Sequence, residues 1–327
     1  MTNTIQMMID EAKIKIDQIK QEMGKVIIGQ THLIRCLLIS VFADGHILIE
    51  GVPGLAKTLA ATTLAKVIEC NFKRVQFTPD LLPADLIGTP IYNPNEGTFT
   101  TKKGPIFTNI LLADEINRAP AKVQSALLEV MQEKQVTIGV ETFQAPRPFL
   151  VLATQNPIEQ EGTYPLSEAQ TDRFMMKTIL TYPSKEEERE ILNRMGTLSP
   201  LPAVNAILSL EEIQSFRELV NAIYIDDKIA DYILNIVAAT RDPGQFGLDR
   251  LGDWLEYGAS PRATLALKQG AKAQALLSGR YFVNPQDVKS ICHDILRHRL
   301  RLTYEGEAEN LSTDAIITQI LEGIPVP

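Results

Sequence analysis

Eight consecutive residues, Gly51-Val52-Pro53-Gly54-Leu55-Ala56-Lys57-Thr58, have the types and spacing of a phosphate-binding loop. An apolar run, His46–Glu50, precedes them, and a helical pattern over Thr58–Glu69 follows, with Leu59 in its first turn. Backbone N–H groups in a tight glycine-rich turn form an anion cradle, and the start of the next helix adds its dipole. In such a loop Lys57 contacts the β- and γ-phosphates of ATP, and the Thr58 hydroxyl ligates Mg2+. Position 56 departs from the usual pattern, with alanine where glycine is common. Alanine fits there if its dihedrals stay helical, with less room around it. A chance lysine beside a structural turn does not account for the strand and helix on either side.

A second run, Ile110-Leu111-Leu112-Ala113-Asp114-Glu115, is an apolar strand ending in two acids. Ligands of parallel sheets bind at the carboxyl ends of strands, so these acids should face the loop. Asp114 is expected to hold Mg2+ through water, and Glu115 to polarise an attacking water as general base. A third run, Phe149 to Pro157, ends in Gln155-Asn156. Asn156 suits a hydrogen bond to that water or to the γ-phosphate, unless its amide only caps a loop.

Two arginines suggest a site shared between subunits. Arg173, in Asp172-Arg173-Phe174, is a candidate arginine finger that stabilises phosphoryl charge in a neighbour's site. A salt bridge to Asp172 or Glu168 is its structural alternative. A residue that serves a neighbour implies a head-to-tail interface, and such interfaces close into rings. Arg262 follows Ser260-Pro261 in a first helical turn, where a cation opposes the helix dipole by about 0.3–1 kcal/mol. That placement suggests use on a nucleotide phosphate, with a solvated arginine as the alternative. Gly29-Gln30, after Val26-Ile27-Ile28, is placed near an adenine ring. His293 and His298 are five apart on a helical pattern, so they should diverge at the surface and hold no metal, Cys292 notwithstanding.

The elements that must carry these groups follow from hydropathy. The first ~25 residues read as a helix, with Ile5, Met8, Ile9, Ala12, Ile16 and Ile19 near a helical period. From His46 short apolar runs alternate with helical stretches; Arg74–Phe77 and Lys177–Leu180 complete the set of five. This predicts an α/β fold, a three-layer P-loop domain around a parallel sheet. The helix Pro120–Glu133 supplies one covering layer. An insertion near 78–108 is too long for an ordinary loop, and 135–148 alternates like a hairpin about Gly139. After Tyr182-Pro183 the chain reads as all-helical, with capping boxes at Ser184–Glu187 and Ser209–Glu212. The expected division is therefore a nucleotide-binding core over 1–183 and a helical lid over 184–327.

Composition limits the function classes. The net charge is −8, which argues against a nucleic-acid partner, because phosphate contacts need a positive surface. The longest apolar candidate, from Leu37, stops at Asp44-Gly45, well short of the ~20 residues a membrane span needs. No leader pattern is visible at Met1–Ile5. Three scattered cysteines, Cys36, Cys70 and Cys292, point to a reducing, cytoplasmic location.

Taken together, the chain resembles the AAA+ ATPases and, within them, the MoxR family. The resemblance rests on Gly51–Thr58, on Leu112 to Gln124, on Ala153-Thr154-Gln155-Asn156-Pro157, on Glu161 to Leu166 with Asp172-Arg173-Phe174, and on Ala259-Ser260-Pro261-Arg262. Ala56 is a variant that MoxR proteins tolerate, and Ser167 and Thr171 depart mildly from the usual residues. The resemblance implies an AAA+ core with a helical lid and a hexameric ring, with Asn156 as sensor 1, Arg173 as finger and Arg262 as sensor 2. It matches 78–108 to the helix-2 insert and 135–147 to the hairpin before the sensor strand. It also implies a chaperone-like role on partner proteins, often with von Willebrand factor A domains, sometimes with metal-cofactor insertion. Three other readings stay open: a magnesium-chelatase-like ATPase subunit, a nucleic-acid motor, and a nucleotide-gated scaffold with negligible turnover. The presence of Glu115 speaks against the last.

Overall fold

The computed structural model describes residues 2–157, 162–196 and 202–327. Two helices come first, α1 (Thr2–Gly24) and α2 (Thr31–Phe42). α1 buries Ile9, Ala12, Ile16, Ile19 and Met23 along one stripe, whereas Met8, from the same pattern, is 48% exposed. β1 (Ile47–Glu50), α3 (Lys57–Val67) and β2 (Phe72–Gln76) follow. The insertion folds as a short helix, α4 (Pro83–Ile87), and a hairpin, β3 (Gly88–Asn93) with β4 (Thr98–Lys103). Next come β5 (Ile110–Asp114) and α5 (Ala121–Glu133). The second expected hairpin is β6 (Gln135–Ile138) with β7 (Glu141–Gln144). β8 (Leu150–Gln155), α6 (Glu168–Thr171) and β9 (Met176–Ile179) close the sheet region.

Five strands pair in parallel in the order β2-β5-β8-β1-β9. Successive residues of a strand point to opposite faces, and the sequence exploits this. Ile47, Ile49, Ile110, Leu112, Leu150 and Leu152 join one apolar cluster with α1, α2 and α3. Leu48, Leu111, Ala113, Val151 and Ala153 join a second cluster with α5. The result is a three-layer core. The strand order reverses at β1, and ligands of open α/β sheets bind at the carboxyl ends around that switch. β2 lies at the sheet edge and exposes Lys73 and Arg74.

The rest is helical: α7 (Lys185–Met195), α8 (Leu210–Ala222), α9 (Asp227–Ala239), α10 (Asp249–Gly252), α11 (Pro261–Leu277), α12 (Pro285–Leu296), α13 (Tyr304–Ala308) and α14 (Thr313–Gly323). Both capping boxes form, with Glu187 and Glu212 accepting from the Ser184 and Ser209 N–H groups at 2.7 and 2.9 Å. One departure from an all-helical reading is the antiparallel ribbon β10 (Leu255–Tyr257) and β11 (Arg301–Leu302). Strands of three and two residues are too short to show alternation. Ile213, Phe216, Ile236, Leu267 and Ile291 of this part share the cluster of α1–α3. Among the described residues no helix is long and apolar enough to cross a membrane.

Candidate functional site

The loop 51–56 connects the carboxyl end of β1 to α3, with Pro53 and Gly54 exposed at its tip and Leu55 buried beneath. Val52 and Leu59 pack against the core cluster and fix the loop from below. Lys57 Nζ donates 2.6 Å to the Gly51 carbonyl, so the ammonium lies folded against its own loop. Thr58 sits in the first turn of α3, half-buried. Ala56 differs from expectation. Its φ of 56° and ψ of 20° are left-handed, not helical. That conformation costs an L-residue about 1–2 kcal/mol, so the methyl group is a source of local strain.

Asp114 ends β5, and each of its oxygens is engaged. Thr154 Oγ1 of β8 donates to Oδ1 at 2.6 Å, and Arg74 of β2 donates to Oδ2 from two nitrogens at 2.6 and 3.0 Å. The Glu115 N–H donates 2.8 Å to the same Thr154 hydroxyl. Thr154 thus sets both acids at once. Glu115 is left-handed, with φ of 56°, which turns its side chain away from the strand direction. Its Oε2 accepts from Gln76 Nε2 at 2.7 Å and from Arg118 at 3.0 Å.

Asn156 follows β8 and is 5% exposed. It lines a cleft of about 360 Å³ at the carboxyl end of the sheet, with Glu50, Asn117, Thr163 and Lys177. Lys177 pairs with Glu50 at 2.7 Å across β1 and β9. Gly29 and Gln30 lie against the chain that leaves β9. Gly29 has a φ of 74°, and a Cβ there would fall 2.5 Å from the Glu187 carboxyl carbon. Gln30 donates to the Thr181 carbonyl at 3.3 Å, one residue beyond Leu180, whose Cβ touches the Gly51 position. The segment 29–30 and the phosphate loop therefore share a neighbour.

Arg173 and Arg262 lie elsewhere. Both line a cleft of about 290 Å³ with His46, Lys134 and Arg299. His46 precedes β1, and its carbonyl accepts the Met175 N–H at 2.8 Å just before β9. This is the amino end of the sheet, separated from the phosphate loop by the four residues of β1, about 13 Å of strand. Arg173 makes no side-chain hydrogen bond or ion pair among the described residues, so the salt bridges to Asp172 and Glu168 go to other arginines. Arg262 is half-exposed, 3.5 Å from Asp172.

A family model described as "ATPase family associated with various cellular activities (AAA)" matches residues 46–176, and an "AAA lid domain" model matches 250–320. The chain is 50% identical to "Chaperone MoxR1" of Mycobacterium tuberculosis over 94% of this chain and 81% of that protein. It is 30% identical to "Protein MoxR" of Methylorubrum extorquens over 94% of each. The chain belongs to the MoxR family of AAA+ ATPases. A crystal structure from Cytophaga hutchinsonii superposes with a TM-score of 0.92 at 50% identity, covering 100% of this chain and 98% of that one. A MoxR-type AAA+ protein is a chaperone-like ATPase, and that reaction class requires nucleotide binding.

The residues around the phosphate loop fit a nucleoside triphosphate with Mg2+. The loop carries one ammonium and one hydroxyl at a helix start, and an acid pair stands at the end of a nearby strand. Of the MoxR motif at 161–166, Glu161 lies outside the described residues, and the Tyr164 N–H donates to the Asn117 carbonyl at 2.6 Å. Arg74, Gln76 and Thr154 gave no motif signal, although a threonine inside an otherwise apolar strand is an oddity that marks itself.

Of the two histidines only His298 departs from a surface location. His293 is half-exposed and bonded to Thr318 at 3.0 Å. His298 lies past the end of α12; its Nε2 donates to the Phe174 carbonyl at 3.1 Å, and its Nδ1 is buried without a partner among the described residues. Burial, with Arg299 beside it, holds its pKa well below the usual value. His32, Cys36 and Asp294 gather between α2 and α12. Arg35 can only donate, so His32 Nδ1 accepts from it at 3.2 Å, and Nε2–H points at Asp294 at 3.0 Å. A proton rather than a lone pair faces the cluster, and Arg297 is also 2.8 Å from Asp294. This is a hydrogen-bonded latch between α2 and α12.

Proposed function

We propose that this MoxR protein is a Mg2+-dependent ATP phosphohydrolase that works as a head-to-tail, hexameric ring and remodels client proteins. In this reading 1–183 is the nucleotide-binding core and 184–327 the lid. The observation that carries it is the separation of two sets of groups by the length of one sheet. The loop, Asp114, Glu115 and Asn156 stand at the carboxyl end; Arg173 and Arg262 stand at the amino end. Head-to-tail packing joins the amino end of one subunit to the carboxyl end of the next.

Each residue then has a task. The N–H groups of Gly51, Val52, Pro53–Gly54, Leu55 and Ala56 (proline excepted) surround the phosphates, with Leu59 beneath and Gly29 and Gln30 beside the base. Lys57 neutralises the β- and γ-phosphates. Thr58 and Asp114 hold the metal, which when bound draws charge from the phosphate oxygens. Glu115 takes the proton of the attacking water, and Asn156 orients that water. Arg173 and Arg262 of a neighbouring subunit meet the charge that develops on the transferred group. Ile91, Tyr92 and Phe99 on the β3–β4 hairpin, and Val140 on the β6–β7 turn, are exposed apolar side chains that suit a protein client. The client class is a protein with a von Willebrand factor A domain, cofactor insertion being one outcome, in the cytoplasm.

The test is ATP hydrolysis with Mg2+ and with a chelator, for the native chain and Glu115→Gln. Expected is a loss of about 10²- to 10⁴-fold in the variant, with nucleotide binding retained. Native turnover no faster than the variant's overturns the enzymatic reading. Capture of clients on ATP-loaded Glu115→Gln rings, without any von Willebrand factor A domain protein, overturns the client class.

A further inference from the structure

Arg299 follows α12 of the lid, and its side chain is 2% exposed. A guanidinium has five N–H donors in a planar fork, and here all five are used. Nε donates to Asp172 Oδ1 at 2.8 Å. One terminal nitrogen donates to the Met175 carbonyl at 3.0 Å and to the Ile295 carbonyl of the preceding helix α12. The other donates to the carbonyls of Asp172 and Phe174 at 3.3 and 2.7 Å. Four donors thus hold the segment 172–175. The lid adds two further bonds nearby, from His298 to the Phe174 carbonyl at 3.1 Å and from Arg297 to the Lys177 carbonyl at 2.7 Å.

The residue this grip leaves out is Arg173. With the carbonyls of 172, 174 and 175 fixed, the backbone at 173 has few conformations left, and the direction of its side chain is set. The remaining Asp172 oxygen takes the Ser260 hydroxyl at 2.9 Å and lies 3.5 Å from Arg262. Ser260 is also the N-cap of α11, bonded to the Arg262 N–H at 3.1 Å. One acid therefore links Arg299, the segment of Arg173 and the helix start that presents Arg262. A buried guanidinium is costly once its partners move, so the arrangement tolerates little drift.

We infer that Arg299 is a positioning residue that aims Arg173, and through Asp172 and Ser260 also Arg262, at the nucleotide site of the neighbouring subunit. The inference rests on the ring reading above. It makes the lid of one subunit and the finger offered to the next a single mechanical piece.

Arg299→Lys keeps the charge and loses the fork. Expected is a fall in kcat of about 10- to 100-fold, the range for a small misplacement of a charged group, with KM for ATP little changed. Mixed rings decide the matter. Arg299→Lys chains combined with Lys57→Ala chains should regain activity, because the second chain supplies a well-aimed finger to the intact site of the first. Arg299→Lys combined with Arg173→Ala should regain none, because both lack the same function. Recovery for Arg173→Ala with Lys57→Ala, but none for Arg299→Lys with Lys57→Ala, overturns the role of Arg299 and leaves the ring reading standing. No recovery in either mixture overturns the ring reading itself, and the inference with it. If Arg299→Lys shows no cooperative melting, Asp172→Asn, which keeps the carbonyl bonds, goes through the same mixtures and the same outcomes decide.

Discussion

At the carboxyl end of the sheet each candidate group lies within a few residues of the strand that carries it: the loop after β1, two acids after β5, an amide after β8. At the amino end the groups come from three distant stretches, 172–175, 260–262 and 297–299, and meet on one aspartate. The first is a local site, in which the strand ends and their neighbours across the sheet aim the groups. The second is assembled by tertiary contacts, and its precision depends on the lid being seated.

Arg173→Ala is expected to lower kcat by about a thousand-fold, the lower end for an arginine finger, and to leave the ATP affinity of its own chain unchanged. A matching loss of affinity, read by nucleotide titration, merges the two ends into one site. A smaller effect concerns pH. His46, at the amino end, donates to the Met131 carbonyl and accepts the Val151 N–H, and burial lowers its pKa from an ordinary 6.5 to about 4. Between those values the unfolded chain takes up a proton that the folded chain refuses. Stability therefore falls as pH drops from about 6.5 to 4, by up to about 3 kcal/mol from this residue. Denaturant midpoints across that range check it, and His46→Gln should flatten the slope. The smallest effect belongs to the carboxyl end. Ala56→Gly relieves the left-handed strain at a partly offsetting entropic cost, for a net gain of about 1 kcal/mol and a Tm higher by a few degrees. A lower Tm shows that the loop is not strained by its methyl group.

The contrast also explains what could be read from the sequence. Gly51–Thr58 and Asp114-Glu115 are contiguous, and each follows a continuously apolar run of strand length, so both motif and frame are visible. Arg262 is visible as a candidate because a cation in a first helical turn is unfavourably placed, and Arg173 because Asp172-Arg173-Phe174 stands just before the last strand. Arg299 is not visible, because His298-Arg299-Leu300-Arg301 reads as a charged turn and its partner Asp172 is remote in the chain. His298 reads as a surface residue for the same reason: it is half-buried and bonded to the Phe174 carbonyl, a contact that no local periodicity encodes. The dihedrals of Ala56 are not legible in the sequence because alanine rarely adopts the left-handed region and a helix follows directly. The β10–β11 ribbon depends on the pairing of two segments far apart in sequence.

The apolar layer shared by α1, α2, α3 and the lid helices has a consequence for biosynthesis. A ribosome releases α1 and α2 more than two hundred residues before α11 and α12. Until they arrive, Leu37, Leu38 and their neighbours have no cover on that side. The nascent chain thus carries an adhesive surface until the lid helices emerge, and truncation after the sheet leaves that surface permanently bare.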